Sequence, residues 1–218
     1  MADKTVELGT RIMDASERIS RENRERLDEH GIFMLNLLSS PGSGKTSTIL
    51  ATIRGLAPDV RAAVIEGDIA SDVDAQTIKA AGSPAVQINT GGICHLEGDM
   101  IRQALDALDL STIDLIIIEN VGNLVCPVDF YLGEDATAMI LSVPEGDDKP
   151  LKYPGVFQAA DAIILNKVDT LPVFDFDSQA FHASLADLNP SAPIFEISAT
   201  KGDGVDGWVT WLRDRMGK

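Results

Sequence analysis

With only two cysteines, Cys94 and Cys126, among 218 residues, the chain lacks the disulfide framework of a small secreted protein. A thiol here therefore reads as a metal ligand or a redox group. Basic charge is scarce too: 18 Lys and Arg face 34 Asp and Glu, a formal net charge of −16. Non-specific binding to nucleic acid or to an anionic membrane needs clustered positive charge, so neither is expected. No apolar run approaches the roughly 18 residues of a membrane span, and the N-terminus shows no signal-peptide core. The expectation is a soluble cytoplasmic protein. Histidine occurs only 3 times, which disfavours metal storage, a task for many ligands. Internal repeats and low-complexity segments are absent as well.

What is present is a chain 44% apolar, long enough for one good core. Residues 1–30 carry dense charge and sparse apolar positions such as Ile19 and Leu27, predicting an N-terminal segment of one or two solvated helices with Glu/Arg pairs at helical spacing. From residue 31 to 218, short β-type runs alternate with helical stretches. Strands are expected near 32–38, 60–66, 84–89, 113–119, 136–143, 161–166 and 193–197, and helices near 45–56, 72–81, 96–109, 154–160, 176–187 and 204–215. That alternation predicts an α/β fold: a mostly parallel, twisted sheet of about seven strands covered by helices on both faces.

Between the first strand and the first helix of this body stands Ser39-Ser40-Pro41-Gly42-Ser43-Gly44-Lys45-Thr46, followed by Ser47. Small residues let successive backbone N–H groups converge on phosphate oxygens, a lysine reaches the β/γ-phosphates, and a hydroxyl binds Mg²⁺. Gly42, Ser43, Gly44, Lys45, Thr46 and Ser47 supply these parts, and the helix N-terminus adds its positive dipole end. The pattern begins with Ser39 where glycine is usual. The body is thus a P-loop nucleotide-binding domain.

The base is read further on. Asn166-Lys167-Val168-Asp169 directly follows the apolar run Ile163-Ile164-Leu165. Asp169 can accept from guanine N1–H and the N2 amine, whereas adenine offers neither; a site built for such a bond rejects the analogue by roughly 10⁴-fold. Lys167 lays its stem along the base, Asn166 reaches N7, and Ser198-Ala199 resembles the loop whose N–H meets guanine O6. GTP and GDP are the expected ligands. For Mg²⁺ and hydrolysis the candidates are Thr46, Asp68, Asp74 and Glu119, with Gly122 offering its N–H to the γ-phosphate; helix-cap or turn roles are the alternative for Asp68 and Asp74. Lys45, Thr46, Asp68, Glu119 and Gly122 form the expected catalytic set. No glutamine follows Glu119 to orient water and no arginine finger is evident, so slow intrinsic hydrolysis is expected.

Two further loops at the same sheet edge carry Cys94-His95 and Cys126-Pro127. Two thiolates and an imidazole suit Ni²⁺ or Zn²⁺, with a fourth position left for water, a backbone nitrogen or a second subunit. Two packed cysteines and a structural histidine are the alternative.

Together the motifs resemble the HypB GTPases, which deliver nickel to [NiFe]-hydrogenase precursors and are related to the urease accessory GTPases. The resemblance rests on the phosphate loop, Gly91-Gly92-Ile93-Cys94-His95-Leu96, Ile118-Glu119-Asn120-Val121-Gly122-Asn123-Leu124-Val125-Cys126-Pro127, Glu145-Gly146-Asp147-Asp148-Lys149-Pro150-Leu151-Lys152-Tyr153-Pro154 and Asn166-Lys167-Val168-Asp169. It implies a GTP-hydrolysing metallochaperone of the SIMIBI class, a homodimer whose subunits face one another across their nucleotides. It also implies a Ni²⁺ or Zn²⁺ site at Cys94, His95 and Cys126 on the subunit interface. The implied partners are a HypA-type zinc/nickel accessory protein and the hydrogenase large-subunit precursor. Lys149 and Lys152 lie in a segment that such an interface would bring toward the nucleotide. The Cys-x-x-Cys-Gly-Cys motif and His-rich tract of some HypB proteins are not in this sequence. The competing reading is a regulatory P-loop GTPase or a small-molecule kinase with structural Cys and His residues.

Overall fold

A computed structural model describes residues 8–68 and 73–218, less the side chains of 8–14, 73 and 74. Seven strands, β1 (Phe33–Ser39), β2 (Ala62–Asp68), β3 (Ala85–Asn89), β4 (Leu115–Glu119), β5 (Ala136–Ser142), β6 (Ala162–Asn166) and β7 (Ile194–Glu196), form one sheet in the order β3-β2-β4-β1-β5-β6-β7. Every pairing is parallel, where the sequence suggests only a mostly parallel sheet. Parallel neighbours require crossovers, which α2 (Lys45–Leu56), α3 (Val73–Ala80), α4 (Gly98–Asp106), α5 (Lys149–Lys152), α6 (Pro154–Ala159) and α7 (Ser178–Leu188) largely provide, while α1 (Leu8–His30) precedes β1 and α8 (Val205–Met216) follows β7.

Continuous apolar runs place alternate residues on opposite faces of the sheet. Leu35, Leu37, Val64, Ile117, Ala138, Ile140 and Ile164 pack under α2, α3 and α8, where the Trp208 indole donates to Thr52 Oγ1 at 2.8 Å. On the other face, Met34, Ile65, Ile116 and Ile118 meet α1 and α4, and Met139, Leu141, Ile163 and Leu165 meet α6 and α7. Chain order reverses direction across β1, which lies between β4 and β5. In such sheets the crevice outside the carboxyl ends of the strands is the natural ligand position.

The expected helix at 96–109 is trimmed to Gly98–Asp106, because Asp109 caps a separate 3-10 turn at Leu110–Thr112. From Leu8 to His30 the charged N-terminal segment is a single helix, α1, whose last two turns are less solvated than their composition implies; residues 1–7 of the expected segment lie outside the described residues. Leu27 is fully buried, Asn23 donates to the Gly98 carbonyl at 2.8 Å, and Arg24 donates to the Ile32 carbonyl at 2.8 Å and pairs with Asp135. Exposed pairs such as Glu17 with Arg21 occupy the outer face, as helical spacing predicts.

At the opposite end of the sheet from the crevice, Arg61 grips Asp114 with Nε at 2.8 Å and Nη2 at 3.0 Å, and Lys218 Nζ approaches to 2.8 Å. The Arg61 guanidinium, with Lys218, holds the Asp114 carboxyl well below the usual carboxylate range. A carboxylate depressed in the folded state stabilises the fold above its unfolded value of about 4 and loses that contribution as the pH falls toward the folded value. Asp114→Asn is therefore expected to lower Tm at pH 7, with the gap from the parent chain closing between about pH 4 and pH 2. Thermal unfolding across that range checks it.

Candidate nucleotide and metal site

At the carboxyl end of β1 the chain turns through Gly42 and Gly44, whose φ values of 78° and 93° lie in the left-handed region open to glycine, and enters α2 at Lys45. Ser39 is fully buried and accepts from Ser43 Oγ at 2.7 Å and Lys45 Nζ at 3.0 Å. A hydroxyl at the head of the loop thus adds an internal brace that glycine would not supply. Ser40 Oγ donates to Glu145, whose other oxygen accepts from Ser142 N and Oγ at 2.7 Å each. This brace spans 105 positions of sequence, and nothing local announces it.

Beside the loop, Thr46 Oγ1 donates to Glu119 Oε1 at 3.2 Å. Glu119 stands opposite Glu66 in the β2/β4 register, both buried, and Asp68 ends β2 at the same edge. A hydroxyl among carboxylates is the donor set that Mg²⁺ selects, so Thr46, Glu119 and Asp68 fit that ion. Glu66 joins these carboxylates; its position at a strand end was the available signal. Asp74 falls in the first turn of α3, and its side chain lies outside the described residues. Gly122 runs against the phosphate loop: a Cβ there would lie 3.0 Å from Pro41 N and Cγ. The loop leaving β4 therefore touches the loop that would cradle phosphate.

The base-reading residues converge on the other side. Asn166 Nδ2 donates to the Ser43 carbonyl at 2.9 Å, while its Oδ1 accepts from Lys167 N at 2.8 Å and Ala199 N at 3.1 Å. One amide thus ties three loops together. Lys167, left-handed at φ 61°, stretches over the phosphate loop to donate from Nζ to the Gly42 carbonyl at 2.7 Å. Asp169 accepts from Ser198 Oγ at 2.8 Å, with Lys201 Nζ at 3.3 Å. Ser198 and then Lys201 hold its carboxyl below the ordinary value, keeping it an acceptor at neutral pH. Gly42, Ser43, Gly44, Lys45, Thr46, Ser47, Asn166, Lys167, Asp169, Ser198 and Ala199 thus line one crevice edge. Lys149 and Lys152 engage their own segment, Lys149 over the Tyr153 ring and Lys152 with Asp148.

The thiols sit on the next two loops. Cys94 Sγ lies 3.7 Å from His95 Nδ1, and the Cys94 thiol is pushed up first by its hydrogen bond with Cys126 and then by burial. His95 stacks on Phe130 at a centroid separation of 3.7 Å and an interplanar angle of 15°. Phe130 caps the 3-10 turn Cys126–Asp129, which the sequence reading did not anticipate, and its alignment with His95 has no local signature. Asn123 Nδ2 donates to the Cys94 carbonyl at 3.2 Å, tying the two loops together. Cys94 is thus brought to both His95 and Cys126. Among the described residues, however, no three His, Cys, Asp or Glu side chains of one chain converge to enclose a metal ion. The expected trio is incomplete within a single chain.

Comparison with known proteins follows the same lines. The sequence profile of the CobW/HypB/UreG nucleotide-binding domain matches residues 33–196. Hydrogenase maturation factor HypB of Azotobacter vinelandii is 50% identical over 206 residues, covering 94% of this chain and 68% of that protein. The HypB of Escherichia coli K12 is 46% identical, covering 96% of this chain and 72% of the relative. A crystal structure of HypB from Helicobacter pylori in complex with nickel superposes with a TM-score of 0.89 at 40% identity, covering 93% of this chain and 95% of that one. On a phosphate loop, a guanine-type tetrad and a profile match across most of its length, the chain belongs to the CobW/HypB/UreG family of P-loop GTP-binding proteins, within it to the HypB hydrogenase maturation factors.

Proposed function

We propose that the chain hydrolyses GTP with Mg²⁺ and uses the nucleotide state to control a Ni²⁺ or Zn²⁺ cargo held by Cys94, His95 and Cys126. The observation that carries this reading is the loop leaving β4. Gly122 packs on Pro41 of the phosphate loop, and the same segment runs on through Asn123, which donates to the Cys94 carbonyl at 3.2 Å, to Cys126. A γ-phosphate drawn to Gly122 would therefore move a thiol. Order-to-order or order-to-disorder shifts of such loops are the usual output of GTP hydrolysis. In this reading Lys45 and Gly122 contact the phosphates while Thr46, Asp68 and Glu119 hold Mg²⁺. The segment that follows Glu119 carries no glutamine to orient the attacking water, so hydrolysis is slow until a second subunit or partner acts.

The incomplete trio supports a homodimer in which a second copy or a loop shift closes the metal site. Ile93 and Val125, 40% and 59% exposed, flank the two cysteines and give that edge apolar surface to cover. The H. pylori relative's nickel complex favours nickel as cargo. Delivery in the cytoplasm, with a HypA-type accessory protein and the hydrogenase large-subunit precursor as partners, completes the proposal. Among the described residues no helix is long and apolar enough to cross a membrane.

The test is Ni²⁺ and Zn²⁺ binding with GDP and with a non-hydrolysable GTP analogue, recording molecular mass at each step. The expected result is nucleotide-dependent affinity, with dimer formation in the triphosphate state, both lost in Cys94→Ala/Cys126→Ala. Metal binding indifferent to nucleotide and to both cysteines would leave a GTPase without this cargo, or a kinase whose thiols only pack.

A further inference from the structure

The two nitrogens of His95 face different partners. Nδ1 lies 3.7 Å from Cys94 Sγ, and Nε2 lies 3.3 Å from Glu97 Oε1. We propose that Glu97 is a positioning residue for the cargo metal, holding His95 as the Nε2–H tautomer so that Nδ1 is the metal donor beside the Cys94 thiolate. The inference rests on the cargo reading above and adds to it the donor nitrogen and the residue that selects it.

Geometry favours Nδ1. A tetrahedral ion with a thiolate at about 2.3 Å and an imidazole nitrogen at about 2.05 Å sets sulfur and nitrogen about 3.6 Å apart. The Cys94 Sγ to His95 Nδ1 edge of 3.7 Å is already that length. Stacking on Phe130 fixes the plane of the ring, yet a half-turn about the Cβ–Cγ bond keeps the plane and replaces Nδ1 by a carbon. Glu97 breaks that degeneracy. In one orientation it receives an N–H, and in the other it faces a C–H. Metal-ligating histidines commonly donate their second N–H to a carboxylate, which fixes the tautomer and raises the basicity of the ligating nitrogen.

The platform is stiff. Glu97 occupies the N-cap position of α4 with extended backbone, φ −128° and ψ 158°, and its side chain makes no capping bond. Its carbonyl accepts from Met100 N at 3.0 Å and Ile101 N at 3.2 Å, while Asn23 of α1 holds the neighbouring Gly98 carbonyl. Glutamate is not among the favoured N-cap residues, and here its carboxylate serves His95 instead. With the carboxylate 32% exposed, replacing it leaves no large cavity.

The experiment compares the full chain with Glu97→Leu and Glu97→Gln, all in GDP. Nitrogen NMR of the metal-free imidazole reads the tautomer, Ni²⁺ titration through the thiolate charge-transfer band reads affinity, and circular dichroism verifies folding. The expected result is an Nε2–H ring in the parent chain, a roughly 10- to 100-fold loss of Ni²⁺ affinity in Glu97→Leu, and rescue in Glu97→Gln, whose carbonyl oxygen still accepts the N–H. An Nδ1–H ring in the parent chain, or Ni²⁺ affinity unchanged in a folded Glu97→Leu, overturns the positioning role alone. Ni²⁺ binding that survives intact in Cys94→Ala/Cys126→Ala overturns the cargo site and this inference with it.

Discussion

Asp169→Ala is expected to abolish the preference for GDP over ADP, lowering GDP affinity by about 10³- to 10⁴-fold while leaving ADP binding almost unchanged. The carboxylate is set in the 3-10 turn Val168–Thr170 that follows β6 by two neighbours, Ser198 Oγ at 2.8 Å and Lys201 Nζ at 3.3 Å, which keep it ionised and aimed. An ionised carboxylate only accepts, and guanine presents two donors on one edge. Adenine presents an acceptor at N1 and no amine at C2, so it gains no bond from this carboxylate and loses none when the carboxylate is removed. Ser198→Ala should act in the same direction but more weakly, because Lys201 still holds the other oxygen. Calorimetric titration with GDP and ADP, each with Mg²⁺, measures all three chains. A guanine preference that survives Asp169→Ala would mean that another group reads the base.

Gly44→Ala should cost nucleotide affinity at least 100-fold. The residue sits at φ 93°, where an L side chain is strained by about 1–2 kcal/mol. The added Cβ would also come within 2.5 Å of Asn166 Nδ2. Moving that amide breaks its bond to the Ser43 carbonyl and disturbs those from Lys167 N and Ala199 N, each worth roughly 1 kcal/mol. Together these terms reach about 3 kcal/mol, or somewhat over 100-fold at 1.4 kcal/mol per decade. A double-mutant cycle with Asn166→Ala isolates the collision, since the next contact of the Cβ is an ordinary 3.7 Å to Lys167 Cε. In the Asn166→Ala background, Gly44→Ala should cost only its backbone strain. Equal costs in both backgrounds would show that Asn166 yields freely and is not a structural tie.

The sheet was legible because its strands are buried on both faces and therefore read as unbroken apolar runs, such as Ile116-Ile117-Ile118 and Ile163-Ile164-Leu165. The turn through Gly42 and Gly44 follows from the phosphate-loop motif, whereas the strand order β3-β2-β4-β1-β5-β6-β7 leaves no local mark in the sequence. The helix ends shifted by up to three residues where a cap intervened, as Asp177 does by accepting from Ala180 N at 2.9 Å ahead of α7. What stayed hidden depends on contacts between distant segments. The Ser40 bond to Glu145, Phe130 stacked on His95, and Arg24 half inside the protein have no periodicity and no motif. The α5 turn at Lys149–Lys152 escaped because four residues are too few for a hydrophobic pattern. The phosphate loop and the Asn166-Lys167 segment are tied to one another through Asn166 and Lys167. The metal residues gather only partly, because a sequence of one chain carries no direct mark of what a second copy supplies.

Lys167 has a consequence for the speed of recognition. Its long side chain is already laid out, Nζ on the Gly42 carbonyl, and its backbone already occupies the unusual left-handed basin. Ordering a lysine of this kind from a free state costs up to about 2 kcal/mol of rotamer entropy. That ordering has happened before any base arrives. The shelf on which a purine would rest is thus part of the resting fold, and capture should proceed as a single diffusional encounter, with association traces that are one exponential and linear in nucleotide concentration.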